Sequence, residues 1–264
     1  MDPLTDFSAE EMTFDGSAKR VFWAGDGPAV VIMTEMPGIT PSVADFARRL
    51  VDRGFSVALP DLFGEAGREP SGGYIAGSVI KGCVSKEFVA FATQKTSPVV
   101  RWVRQLAVEA HRRCGGTGVG VVGMCFTGGF ALAVAVEPIV DVAVLSQPSL
   151  PLPLGAKRRA DLGLNTADRQ AVAARADAGQ LCAIGLRFTQ DPMVRPERFE
   201  ALRELLGEAF IGVEIDSSKG NPDGFSAKAH SVLTEEYTQH RSPTHDAYEL
   251  VVRHLSERLL GQVP

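Results

Sequence analysis

The sequence predicts an α/β protein, a mostly parallel central sheet with helices on both faces. Short, continuously apolar runs of strand length recur along the chain, at 29–35, 55–60, 119–123, 140–146 and 182–188. Such runs suit strands covered on both faces. Segments with apolar residues at helical spacing alternate with them, which is the pattern of a parallel sheet. No repeat or composition shift marks a second domain, so 1–264 reads as one domain.

EMTFDG and KRVFWAG read as two antiparallel edge strands joined by a turn near Gly16. AVVIMTE is a buried strand broken by Pro37 and Gly38. Ser42 is the expected cap of a helix running to about Arg53, with Val43, Phe46, Ala47 and Leu50 on one face and Gly54 closing it. FSVALP is a second buried strand with Asp61 at its exit. Residues 63–96 are rich in Gly and Ser and less periodic. A helix follows over 98–113, with Pro98 in its first turn and Gly115–Gly116 at its end. VGVVG is strand, FTGGFALAVAV helix and VDVAVLS strand. A long connection then leads to a short helix at about 167–178. CAIGLRF is strand, 196–206 helix and AFIGVEID strand. A loop of about twenty-five residues precedes a last helix from about Pro243 to Leu260. Connections this long often mark functional loops. The segments 63–96 and 147–180 are therefore candidate lid-like or variable regions.

Composition narrows the function. Hydrophobic residues make up 45% and charged residues 22%, as in ordinary globular chains. The net charge of −5 and the lack of a Lys/Arg stripe argue against nucleic acid as a partner. The acidic, polar N-terminus does not read as a signal peptide. The apolar stretch VGVVGMCFTGGFALAVAVEPIV fits a buried strand, turn and helix better than a membrane span. Cys83, Cys114, Cys125 and Cys182 have no metal-like spacing, and free thiols suit a reducing cytoplasm. No metal site or cofactor is expected, and monomer and homodimer are left open.

In open α/β sheets, ligands sit at the carboxyl ends of the strands. The residues that leave those ends are Glu35, Asp61, Cys125, Gln147, Asp191 and the polar residues after 216. Strand VGVVG runs into G-M-C-F-T-G-G and then a helix, the arrangement of a nucleophile elbow with Cys125 in the usual place of Ser. Gly123, Gly128 and Gly129 allow the sharp turn, and the helix start favours a thiolate. Thr127 stands two residues on, where Gly is usual; it is tighter and brings a hydrogen-bonding hydroxyl. An inert core cysteine is the plainer alternative for Cys125. Asp191 follows the strand 182–188, and His230 lies in the loop after the last strand. The order Cys, Asp, His is the one this topology requires of a nucleophile, an orienting acid and a base.

Four parts of the sequence resemble the dienelactone hydrolase family of the α/β-hydrolase fold: TEMPGITP with the helix after it, GFSVALPDLF, GMCFTGG, and the pair QDPMV and AHSVL. The resemblance covers roughly residues 10–260. It implies that Cys125, Asp191 and His230 form the family's triad. It implies that Glu35 holds the resting thiol and releases it when substrate arrives, and that the backbone N–H groups of Met36 and Phe126 receive the oxyanion. The family member that cleaves dienelactone grips the substrate carboxylate with arginines, one of them four residues beyond the histidine. Thr234 stands there in this sequence, with Lys81 and Arg187 as candidate substitutes. The implied substrate is thus a small carboxylic ester or lactone, with dienelactone itself cleaved less well. A thioesterase or peptidase with the same triad is the alternative enzyme. A catalytically silent thiol sensor or binding protein would require a broken triad.

Overall fold

The computed structural model describes residues 3–74, 97–149 and 159–261. Strands β1 (Ser8–Phe14) and β2 (Ser17–Ala24) form an antiparallel hairpin. Its two-residue turn places Asp15 and Gly16 at φ +50° and +73°, the left-handed values that tight hairpins need. β3 (Ala29–Met33), β4 (Ser56–Pro60), β5 (Val119–Met124), β6 (Val140–Ser146), β7 (Cys182–Phe188) and β8 (Phe210–Ile215) complete one sheet in the order β1-β2-β4-β3-β5-β6-β7-β8. β2 runs antiparallel to β4, and the six strands from β4 to β8 are parallel neighbours. The mostly parallel sheet is the one the alternation predicts, and the whole is the α/β-hydrolase fold that the family resemblance implies. One detail differs. KRVFWAG is not an edge, because β2 also pairs with β4 on its far side.

Alternate residues of the strands feed two cores. Val31, Met33, Val119 and Val121 point to one face, and Val30, Ile32, Val122 and Met124 to the other. The first face is covered by α2 (Pro98–Cys114), α3 (Gly128–Val134), α4 (Thr166–Asp177) and α5 (Pro196–Leu206). The second is covered by α1 (Pro41–Val51) and α6 (Pro243–Leu255). The cap of α1 is Thr40, not Ser42: its hydroxyl accepts the Val43 N–H at 3.3 Å, and Pro41 takes the first helical position, where its missing N–H costs nothing.

Of the candidate lid-like segment 147–180, residues 147–149 and 159–180 are described. Leu162, Leu164 and Val172 lie in the core, and Asp168 of α4 meets Arg104 of α2 at 2.9 Å. Residues 75–96, which hold most of the other candidate lid with Lys81 and Cys83, lie outside the described residues, as do 150–158. No helix among the described residues is long and apolar enough to cross a membrane.

Candidate active site

The elbow is built from β5, a 3-10 turn over Cys125–Thr127, and α3. Cys125 sits at φ +54°. A residue with a Cβ pays about 1–3 kcal/mol to hold such a conformation, which survives only where neighbours enforce it. Here they do. A Cβ on Gly123 would meet the Thr127 carbonyl oxygen at 2.1 Å, and one on Gly128 would meet Pro148 Cα at 2.6 Å. Thr127 supplies the tie that a glycine could not. Its hydroxyl accepts the Met124 N–H at 2.8 Å and lies 2.8 Å from the Met33 carbonyl and 2.9 Å from that of Met124. One side chain thereby fastens the turn to the ends of β3 and β5.

Asp191 leaves the end of β7 and is 1% exposed. One carboxylate oxygen accepts the Met193 N–H at 2.8 Å, and the other lies 2.6 Å from His230 Nδ1. The His230 side chain is 20% exposed. Its Nε2 is buried and has no hydrogen-bond partner of normal geometry among the described residues. Burial disfavours the imidazolium, but hydrogen bonding and charge from Asp191 and Cys125 outweigh it and push His230 up to about 11. The imidazole is thus oriented through Nδ1 and electrostatically coupled to the Cys125 sulfur.

Glu35 is placed differently from the expectation. Its carboxylate, 8% exposed, accepts hydrogen bonds from Ser231 Oγ (2.7 Å), Thr234 Oγ1 (2.7 Å) and Gln147 Nε2 (3.2 Å). Gln147 Oε1 in turn accepts the Val232 N–H at 3.3 Å and the Ser146 hydroxyl. Glu35 therefore joins the exits of β3 and β6 to the loop that carries His230. The Cys125 sulfur also meets Ser149, with Sγ and Oγ 3.1 Å apart. Thr234, where the family's arginine would stand, is buried with its hydroxyl on Glu35.

Arg187 is not a substitute cation either. It is buried in β7, bonded to Glu214 at 2.6 and 2.8 Å and to the Val194 carbonyl at 2.7 Å. Asp61 pairs with Arg20 at 2.8 Å and does not join the cluster. Met36 and Phe126 adjoin Glu35 and Cys125 along the chain, and the Met36–Pro37 peptide is cis. Cys182 is a core residue at the start of β7, its thiol pushed up by burial, and Cys114 is half-buried at the end of α2. No group of three or more His, Cys, Asp or Glu among the described residues could hold a metal ion. Position along the chain flags Gln147 as an exit residue. Ser149 and Ser231 carry no sequence signal beyond adjacency to Gln147 and His230.

Comparison with known proteins agrees with this architecture. A solved Klebsiella pneumoniae subsp. pneumoniae protein of dienelactone hydrolase designation is 18% identical, with a TM-score of 0.63 over 95% of this chain and 99% of its own. The dienelactone hydrolase-like promiscuous phosphotriesterase P91 from metagenomic libraries is also 18% identical, with a TM-score of 0.61 over 96% and 99%. The thioesterase domain from the Curacin biosynthetic pathway is 13% identical, with a TM-score of 0.56 over 93% and 99%. At these identities the likeness concerns the fold. No curated protein sequence matches. The model of the dienelactone hydrolase family matches residues 14–259, nearly the whole length, and the chain therefore belongs to that family.

Proposed function

We propose that the protein hydrolyses a small carboxylic ester or lactone through a covalent thioester on Cys125. The observation that carries this reading is His230 held 2.6 Å from the buried Asp191 carboxylate and interacting with a cysteine held at φ +54° in the elbow. A buried carboxylate on Nδ1 fixes the tautomer that directs Nε2 at the nucleophile.

The steps follow from these positions. His230 Nε2 takes the proton of the Cys125 thiol, and the sulfur adds to the substrate carbonyl carbon. The carbon–oxygen double bond gives its electron pair to oxygen. The Met36 and Phe126 backbone N–H groups, at the chain positions of the family's donors, receive that oxyanion. As the oxyanion collapses, the bond to the leaving oxygen breaks and that oxygen takes the Nε2 proton. The raised affinity of His230 for a proton suits its uptake of the thiol proton, and it falls once the sulfur is acylated and its charge no longer faces the imidazolium, which frees the proton for the leaving oxygen. Water then loses a proton to Nε2 and attacks the thioester, and the Cys125 sulfur leaves with its electron pair. A lactone differs only in that its leaving oxygen stays tethered to the acyl group. Glu35 contributes by holding the His230 loop through Ser231 and Thr234.

The test is turnover of a small activated ester and of a lactone by purified Cys125→Ala and His230→Ala, with circular dichroism to check the fold. Both variants are expected to lose nearly all turnover and keep native secondary structure. Undiminished hydrolysis in either would reject the mechanism. Thioester substrates in the same series separate an ester or lactone hydrolase from a thioesterase.

A further inference from the structure

The loop after β6 is locked to the elbow. The Ser149 N–H donates to the Cys125 carbonyl at 2.9 Å, and the two side chains meet again with Sγ and Oγ 3.1 Å apart. Ser149 is 2% exposed, so this is a formed contact and not a passing surface one. Upstream, Gln147 holds φ +36° and its N–H donates to the Leu186 carbonyl at 2.7 Å. Pro148 lies so close to α3 that it leaves no room for a Cβ on Gly128. Pro148 and Ser149 are thus fixed against the nucleophile turn, and Gln147 before them is anchored to β7. Glu35, which the family resemblance implies as the holder of the resting thiol, is bonded to Ser231, Thr234 and Gln147.

We propose that Ser149 is the positioning residue of the nucleophile: its hydroxyl donates to the Cys125 sulfur and holds it toward the substrate while His230 carries the proton. The direction of the bond follows from proton count. Once the thiol proton is on His230, the sulfur has none to give, and Ser149 O–H is the donor. A hydrogen bond to a charged sulfur in a half-buried site is stronger than one to the neutral thiol. Ser149 therefore favours the ionised nucleophile as well as its rotamer. When the sulfur adds to the carbonyl carbon its charge passes to the carbonyl oxygen, and the Ser149 bond weakens. It re-forms when the thioester is hydrolysed and the sulfur leaves.

This assignment rests on Cys125 being the nucleophile, and the experiment keeps the two claims apart. The pH dependence of iodoacetamide alkylation at Cys125, followed by mass spectrometry, is measured for the full chain and for Ser149→Ala, together with kcat and KM on a small activated ester. Loss of one charge-assisted bond is expected to move the alkylation midpoint upward by about one pH unit, the equivalent of about 1.4 kcal/mol. It should also lower kcat by about tenfold with KM nearly unchanged. A merely structural serine would not move the midpoint. An unmoved midpoint in Ser149→Ala, whatever happens to turnover, overturns the assignment. Wild-type turnover that survives complete alkylation of Cys125 is a separate result, and it removes the nucleophile and this assignment with it.

Discussion

Replacing Glu35 with alanine removes the acceptor that three buried donors share. Ser231, Thr234 and Gln147 each bond its carboxylate at 2.7–3.2 Å. Hydrogen bonds to a charged group contribute about 1.5–3 kcal/mol each, so the gross loss is roughly 5–9 kcal/mol. The alanine variant no longer takes a carboxylate out of water when it folds, which offsets several kcal/mol of that loss. The two hydroxyls can also turn to other acceptors. The net cost is about 3 kcal/mol, which for a chain of this size lowers Tm by roughly 6–12 °C. Turnover should fall as well, because the loop bearing His230 loses two of its anchors, while the pH profile of Cys125 alkylation stays near that of the wild type. Glu35→Gln keeps the shape and one acceptor oxygen and should lie between. The assays are urea or thermal unfolding, ester turnover and alkylation across pH. If Glu35→Ala keeps its Tm but shifts the alkylation profile strongly, Glu35 acts on the thiol directly and the loop-anchor reasoning is refuted.

His230 gives stability a pH dependence of known sign. Its proton affinity is raised in the folded state to about 11, from an ordinary 6.5. The stabilisation is then complete below about pH 6.5 and lost as pH rises toward 11. Urea unfolding should show wild type losing stability relative to His230→Ala across that window, and equal slopes would contradict it. Thr127→Val deletes the hydroxyl bonded to Met124 and Met33 and leaves a buried N–H unpaired, so it should cost about 1–3 kcal/mol in unfolding experiments and lower turnover. Unchanged values would show that the elbow does not need that tie. Because Arg187 is committed to Glu214 and the Val194 carbonyl, Arg187→Met should leave unchanged the ratio of kcat/KM for an ester with a free carboxylate to that of its methyl-capped twin. The wild-type ratio should be near one or favour the neutral twin. A preference of about a hundredfold for the free acid, or ~2.7 kcal/mol, would reveal a carboxylate-binding cation.

Much of the fold is legible in the sequence because buried parallel strands leave continuous apolar runs, and glycines and prolines mark their ends. AVVIMTE, VGVVG and CAIGLRF announce β3, β5 and β7 in this way. The residues at strand exits are legible for the same reason, which is how Cys125, Asp191, His230, Glu35 and Gln147 become candidates before any contact is known. What they touch is not legible. The partners of Glu35 are set by the path of the loop between β8 and α6, which has no periodicity to constrain it. Thr234 reads in the sequence only as the place of the family's missing arginine, and its bond to Glu35 leaves no mark there. Residues 147–180 read as lid-like because the connection is long, and that length does not reveal that Leu162, Leu164 and Val172 reach the core. The cap of α1 moves from Ser42 to Thr40 because Pro41 suits the first helical position.

The central claim is that acyl transfer passes through the Cys125 sulfur, and the covalent intermediate tests it most directly. The protein is mixed with an activated ester, quenched in acid during turnover and mapped by peptide mass spectrometry. An acyl group is expected on the peptide containing Cys125, slower to clear in His230→Ala and absent in Cys125→Ala. An acyl group on another residue in a protein that still turns over, or full turnover by Cys125→Ala, would contradict it.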